Sequence, residues 1–339
     1  MRRFFSSRTG TGTHCSGEIE YTVMIGRTGL RSSLACAIAL LMLISGCARL
    51  PDTRVTPIKP KTLSDLQEYL LAHKADLEQF RFRGPFEVTM QKDLVVRLSN
   101  TVRINVDLYL SSPAEKAPLV IFLHGHDASK EAHAYQAMHA ASWGMHSLAL
   151  QLPNKGPWDS NGKILAKMVG YIFNSPEVID RRIDVNKIIL VGHSFGGYAV
   201  TVALADGAPA AGGILLDPAV VGNKKPVFLQ KIKKPVMLIG ADEEASPVRH
   251  RDFFFYFIRS GIAEVSIKDA NHEDAQYPSE FSLQNYGLDP ETTEELQITF
   301  VSALTSAAFS LSSTRTFDYA WKSFSDAFES GKLFNAKKK

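Results

Sequence analysis

One stretch of the sequence combines residue types that could carry out nucleophilic catalysis. It is Gly192-His193-Ser194-Phe195-Gly196-Gly197, preceded by the apolar run 187–191 and followed by the helix-forming stretch 198–205. A serine hydroxyl is a weak nucleophile until a base takes its proton, and that base needs an acid to orient it. A Gly-x-Ser-x-Gly turn between strand and helix is tight, strained and exposes the hydroxyl. The helix behind it favours developing negative charge at its N-terminus. Downstream of Ser194 the histidines are His250 and His272. His250 lies in the aromatic helical stretch Arg249-His250-Arg251-Asp252-Phe253-Phe254-Phe255-Tyr256-Phe257 and reads as structural. His272 follows the apolar run 264–267 and the loop Lys268-Asp269-Ala270-Asn271, and it reads as the base.

The elements that must position these groups follow from hydrophobic periodicity. Leu63, Leu66, Tyr69, Leu70 and Leu77 recur at helical spacing, with Ser64 and Asp65 near the start. Stretches 86–90 and 102–110 read as strands. The second alternates Val102, Ile104, Val106, Leu108 and Leu110 with polar residues, the pattern of a half-buried antiparallel strand. Then the period changes. Short apolar runs at 118–123, 147–152, 187–191, 213–216, 235–239 and 264–267 alternate with helix-length segments at 129–143, 160–175, 195–206 and 247–259. Runs apolar on both faces imply a mainly parallel α/β sheet covered by helices on both sides. Ligands of such sheets sit at the carboxyl ends of the strands. Segments 291–309 and 318–328 read as covering helices, and Lys337-Lys338-Lys339 as a solvated tail.

The residues at those strand ends complete the pattern. After 118–123 comes His124-Gly125-His126-Asp127; after 235–239 comes Gly240-Ala241-Asp242-Glu243-Glu244-Ala245-Ser246-Pro247. From about residue 85 to about residue 310 the chain resembles the α/β-hydrolase superfamily, in the small style of its dienelactone-hydrolase-like and carboxylesterase-like members. The motifs that carry the resemblance are His124-Gly125, the segment 192–197, the segment 240–247 and Asn271-His272. The resemblance implies the chain order serine, acid, histidine, and an oxyanion hole from the N–H groups of Phe195 and His126. For the acid, two readings stay open. Asp242 is the commoner residue type, whereas the family spacing between Gly240 and Pro247 puts Glu243 in the frame. Asp217, at the end of 213–216, is used in some relatives and reads here as a loop-capping residue. Only 217–234 follows the run 213–216, too little for a cap domain, so an open site is expected. His124, His126 and His133 match no trusted zinc-ligand spacing, so no metal or cofactor is expected.

The implied chemistry is two-step acyl transfer through an acyl-enzyme, with a carboxylic ester, small or polymeric, as the substrate class. A peptidase or acyltransferase on the same residues, or a non-catalytic binding lipoprotein using the fold as a scaffold, is the alternative.

The N-terminus reads as an address. The unbroken apolar run 34–44 is preceded by Arg27 and Arg31 and followed by Ser45-Gly46-Cys47, the layout of a secretory signal. Ile44-Ser45-Gly46-Cys47 resembles the bacterial lipobox, which implies cleavage after residue 46 and acylation of Cys47. With Ala48 next, resemblance to the sorting pattern of Gram-negative bacteria favours anchoring at the outer membrane over the inner. Residues 1–23 look foreign to such a signal, and a start at Met24 gives one of ordinary length. Residues 48–62 contain three prolines and no apolar period, so 47–62 reads as lipidated cysteine and tether, and 63–339 as one domain. Of 38 basic and 35 acidic residues in the chain, five and two lie in 1–46, which leaves 33 of each. A body with no net charge does not have the composition of a nucleic-acid binder. Cys15 and Cys36 precede the cleavage point, so the processed chain holds Cys47 alone, which excludes an internal disulfide.

Overall fold

The computed structural model describes residues 55–222, 226–242, 250–278 and 290–339. The residues read above as a signal and lipobox, Cys47 among them, and Glu243 lie outside them. Helix α1 (Leu63–Ala72) begins at the expected point, where Thr62 and Asp65 form a reciprocal capping box. Strands β1 (Val88–Arg97), β2 (Arg103–Ser111) and β3 (Ala117–Leu123) follow. Then come α2 (Ala134–Ser142), β4 (His146–Gln151), α3 (Trp158–Asn174), β5 (Ile183–His193) and α4 (Phe195–Ala205). Strands β6 (Gly212–Leu216) and β7 (Val236–Gly240), helix α5 (Arg251–Phe257) and strand β8 (Ile262–Ile267) complete the alternation. Helices α6 (Pro290–Thr314), α7 (Asp318–Ser323) and α8 (Ser325–Glu329) lead to a last strand, β9 (Leu333–Lys338).

The nine strands form one sheet in the order β1-β2-β4-β3-β5-β6-β7-β8-β9. From β4 through β8 all neighbours are parallel; β1, β2 and β9 attach antiparallel. Strand residues alternate between two cores, which is why the central runs are apolar throughout. Val120 and Phe122 pack with Trp143, Phe300 and Leu304 on the face covered by α2 and α6. Leu119, Ile121 and Leu123 pack with Leu165, Val169, Val200 and Phe254 on the face covered by α3, α4 and α5. Among the described residues there is no separate cap domain.

Two expectations need correction. Strand β1 runs well past residue 90, yet 91–93 reads Gln-Lys-Asp. It is an exposed edge strand with a bulge between Gln91 and Leu94, where Asp93 takes φ +55°, so almost no apolar alternation marks it. The lysine-rich terminus is not a solvated tail. It forms β9, in which Ala263 pairs with Lys338 and Glu264 with Lys337. Each lysine there covers an aromatic ring with its ammonium or meets a carboxylate, which offsets the low apolar content.

Candidate active site

Ser194 stands between β5 and α4 with φ 53° and ψ −125°, a left-handed conformation that a non-glycine residue adopts only where surroundings enforce it. Here the enforcement is visible. The Ser194 N–H donates to Leu216 O at 3.0 Å, and its carbonyl accepts from Gly197 N at 3.0 Å and Ala219 N at 3.1 Å. The flanking glycines are steric requirements. A Cβ on Gly192 would lie 2.4 Å from the Gly196 carbonyl oxygen, and one on Gly196 would lie 2.4 Å from the His124 carbonyl oxygen. Close approach of the elbow to the loop 124–126 is therefore built from missing side chains. A Cβ on Gly125 would stand 3.0 Å from Ser194 Cβ, so that loop lies directly against the serine.

His124 fixes the loop's shape. Its Nδ1–H donates to Gly125 O at 2.9 Å, while Nε2 accepts from Leu152 N. Burial pushes its imidazole below the ordinary value, so it sits neutral. Phe195 packs edge-on to the His126 ring at 5.8 Å and against Trp158 at 5.7 Å. Among the described residues neither the Phe195 nor the His126 N–H has a backbone partner, so two donors beside Ser194 remain uncommitted.

His272 opens a short 3₁₀ turn, His272–Ala275, after β8. Asn271 and Asp274 form a capping box around its start. The ring reaches the elbow through His193, the residue before Ser194. The two imidazoles lie 4.4 Å apart by centroid, and the His193 Nε2–H donates to the His272 carbonyl at 3.0 Å. Burial, and then the neighbouring His272 and His133, push His193 far below the ordinary value, so it serves as a neutral donor.

Behind His272 stands Asp217, not Asp242. The His272 Nδ1–H donates to Asp217 Oδ2 at 2.6 Å. Asp217 is fully buried at the end of β6. Burial alone would push its carboxyl up, but the hydrogen bond and charge of His272, then Arg251 and the Ala241 N–H, hold it below the ordinary value. Its Oδ1 accepts from Ala241 N and from Arg251 Nη1, each at 3.1 Å. Asp242, expected in this place, turns to a different task. Its Oδ2 accepts from Lys268 Nζ at 2.8 Å and Asp269 N at 3.0 Å, and its own N–H donates to Ala270 O. Asp242 thus clamps the loop that carries His272 instead of touching the ring. The sequence did hold one signal for Asp217, its position immediately after an apolar strand run.

A cleft of about 790 Å³ opens beside the site, lined by His126 and Asp127 on one side and Glu273 and Gln276 on another. Its lining mixes polar side chains with the apolar Ala128, Ala132 and Pro278.

Residues 120–325 match the sequence profile of the alpha/beta hydrolase family, more than half of the chain. No curated protein matches it.

Proposed function

We propose hydrolytic acyl transfer from a carboxylic ester to water for this chain, which belongs to the alpha/beta hydrolase family. Ser194 acts as nucleophile, His272 as general base and Asp217 as its orienting acid, and the N–H groups of Phe195 and His126 receive the oxyanion. The observation that carries this reading is the 2.6 Å pairing of His272 Nδ1 with a buried carboxylate, beside a serine held at φ 53°. With Nδ1–H committed to Asp217, Nε2 is left unprotonated to take the Ser194 proton as Oγ attacks the carbonyl carbon. The Phe195 and His126 N–H groups take the tetrahedral oxyanion, and such donors typically contribute about 3–4 kcal/mol each to a transition state of this kind. Collapse expels the alcohol, which takes its proton from the imidazolium. Water then repeats the sequence on the acyl-enzyme and frees the acid.

The test is active-site labelling. The folded protein is expected to react with a fluorophosphonate probe, with the added mass on the peptide that contains Ser194, and to hydrolyse p-nitrophenyl acetate faster than aminoacyl p-nitroanilides. A folded protein that takes no label, or takes it elsewhere, overturns the reading.

We also propose that Cys47 is acylated and holds the protein on the bacterial cell envelope, at the outer membrane. The support is the run 34–44 followed by Ile44-Ser45-Gly46-Cys47 and a proline-rich tether. Cells fed radiolabelled palmitate are expected to label the parent protein and not Cys47→Ala, and the variant should leave the membrane fraction. Equal labelling of both would refute the anchor.

A further inference from the structure

The catalytic reading above leaves two buried cations among the described residues unexplained, Lys130 and Arg251, and the second reaches the site. Arg251, on α5, has a side chain with no exposure at all, and it lies between two carboxylates that are equally buried. Its Nη1 reaches Asp217 Oδ1 at 3.1 Å and the Ala241 carbonyl at 2.6 Å; its Nε reaches Glu264 Oε1 at 3.3 Å. Space for it is reserved in the backbone. A Cβ on Gly240 would fall 2.3 Å from Arg251 Cδ and Nη1, so the last residue of β7 must be glycine for the guanidinium to pass. A planar guanidinium with donors on two edges suits a position between two carboxylates, where a lysine would serve only one well.

The far end of this chain of charges belongs to the C-terminal strand. Glu264 Oε1 also accepts from Asn335 Nδ2 at 3.1 Å, and Lys337 Nζ lies 3.8 Å away. Asn335 sits in a bulge of β9, where the register shifts opposite Glu264 and Ser266 and the residue takes φ +53°. That conformation turns its amide onto Glu264. Lys337 also reaches Asp252, the neighbour of Arg251 on α5, at 3.2 Å. Lys338 is engaged elsewhere, by Asp318 and over the Trp321 ring.

We propose that Arg251 is a positioning residue for the Asp217–His272 pair, and that β9, through Asn335 and Lys337 on Glu264, holds Arg251 in register. The proposal rests on the catalytic reading given above. Under it, the last residues of the chain belong to the support of the active site. Arg251 fixes the second oxygen of Asp217, which leaves the first aligned with His272 Nδ1. The groups facing this chain are His272, His193 and Glu273 on the site side, Asp217 after β6, Glu264 on β8, Asp252 on α5 and Lys337 on β9.

The experiment measures p-nitrophenyl acetate hydrolysis per fluorophosphonate-titrated site. For Arg251→Met, kcat should fall at least about tenfold with KM within about twofold, the signature of lost alignment rather than lost binding. Arg251→Lys should recover part of kcat. Asn335→Ala and Lys337→Met should each lose about two- to fivefold in kcat with KM little changed, and Lys338→Met should match the parent. Should Arg251→Met fail to fold, the two β9 variants decide. Parent-like kcat in Arg251→Met, or in both β9 variants, overturns the proposal while the parent still labels and turns over. A parent that neither labels nor turns over overturns the catalytic reading and this inference with it.

Discussion

Changing Asp217 to asparagine is expected to lower kcat by about 10³–10⁴-fold, whereas Asp242→Asn should stay within about threefold of the parent. The contrast follows from what each carboxylate touches. Asp217 accepts from the imidazole at 2.6 Å, so it selects the tautomer with the proton on Nδ1 and balances the charge that the ring acquires during proton transfer. An amide offers no charge, and its NH₂ favours the opposite tautomer. The change also removes the anion facing Arg251, a fully buried cation, so some loss of stability should accompany the loss of rate. Asp242 instead receives Lys268, whose side chain is 45 % exposed, and the Asp269 N–H. Weakening that clamp loosens the loop before His272 without altering the ring's partner. Glu243→Gln provides a third arm and should also stay near the parent. Steady-state kinetics with p-nitrophenyl acetate on the three purified variants, normalised to folded protein by circular dichroism, checks the prediction. A loss falling mainly on Asp242 or Glu243 would reject Asp217 as the acid.

Acid is expected to destabilise the fold well above the pH at which carboxylates usually titrate. Burial pushes His133, His139 and His146 each down to about 4. His193 is pushed down further and His124 is lowered as well, both chiefly by burial. Their surroundings suit neutral rings. His139 Nε2–H donates to Phe80 O at 2.8 Å, His146 Nδ1 accepts from Ser111 N at 3.1 Å, and His133 bonds Gln136 Oε1. These values lie below the unfolded one, so the unfolded chain binds more protons and stability falls as pH falls. The window opens near the ordinary histidine value of about 6.5 and extends to about 4. Three acids act in the opposite direction. Burial raises Asp274 to about 6 and also raises Glu264 and Glu273, so the native state takes up protons there. The lowered imidazoles outnumber the raised acids, so unfolding takes up protons on balance and stability falls as pH falls through this window. Asp217, whose carboxyl is held below its ordinary value, adds a further loss only below about pH 4. Urea unfolding at pH 7.5, 6 and 5 measures the effect, with the midpoint expected to drop steadily. A midpoint unchanged between pH 7.5 and 5 would show that the buried imidazoles do not stay neutral in the native state.

The parts of this protein legible in sequence are those governed by local chemistry. Unbroken Val, Ile and Leu runs can only be central strands covered on both faces, and 118–123, 187–191 and 235–239 all became parallel strands of the sheet. The Gly192–Gly196 frame marks a turn too tight for side chains, and it holds Ser194 at positive φ. His272 could be located because a strand run ends just before it. The acid could not be chosen this way. Asp217 and Asp242 follow β6 and β7, neighbouring strands of the same sheet, and both are buried at its carboxyl edge. Which one meets the imidazole depends on where the 268–271 loop turns and on which carboxylate Lys268 claims, and no spacing rule encodes that. Arg251 stayed hidden among aromatic residues because burial of a guanidinium needs two carboxylates and one missing Cβ contributed by separate strands. The terminal lysines gave no strand signal because their partners lie on β8, α5 and α7, far away in the chain. Periodicity and turn chemistry act over a few residues, so the sequence alone determined the central parallel strands and the elbow. Charge pairing acts through space, so only the tertiary structure decided which carboxylate serves the histidine and what holds that carboxylate still.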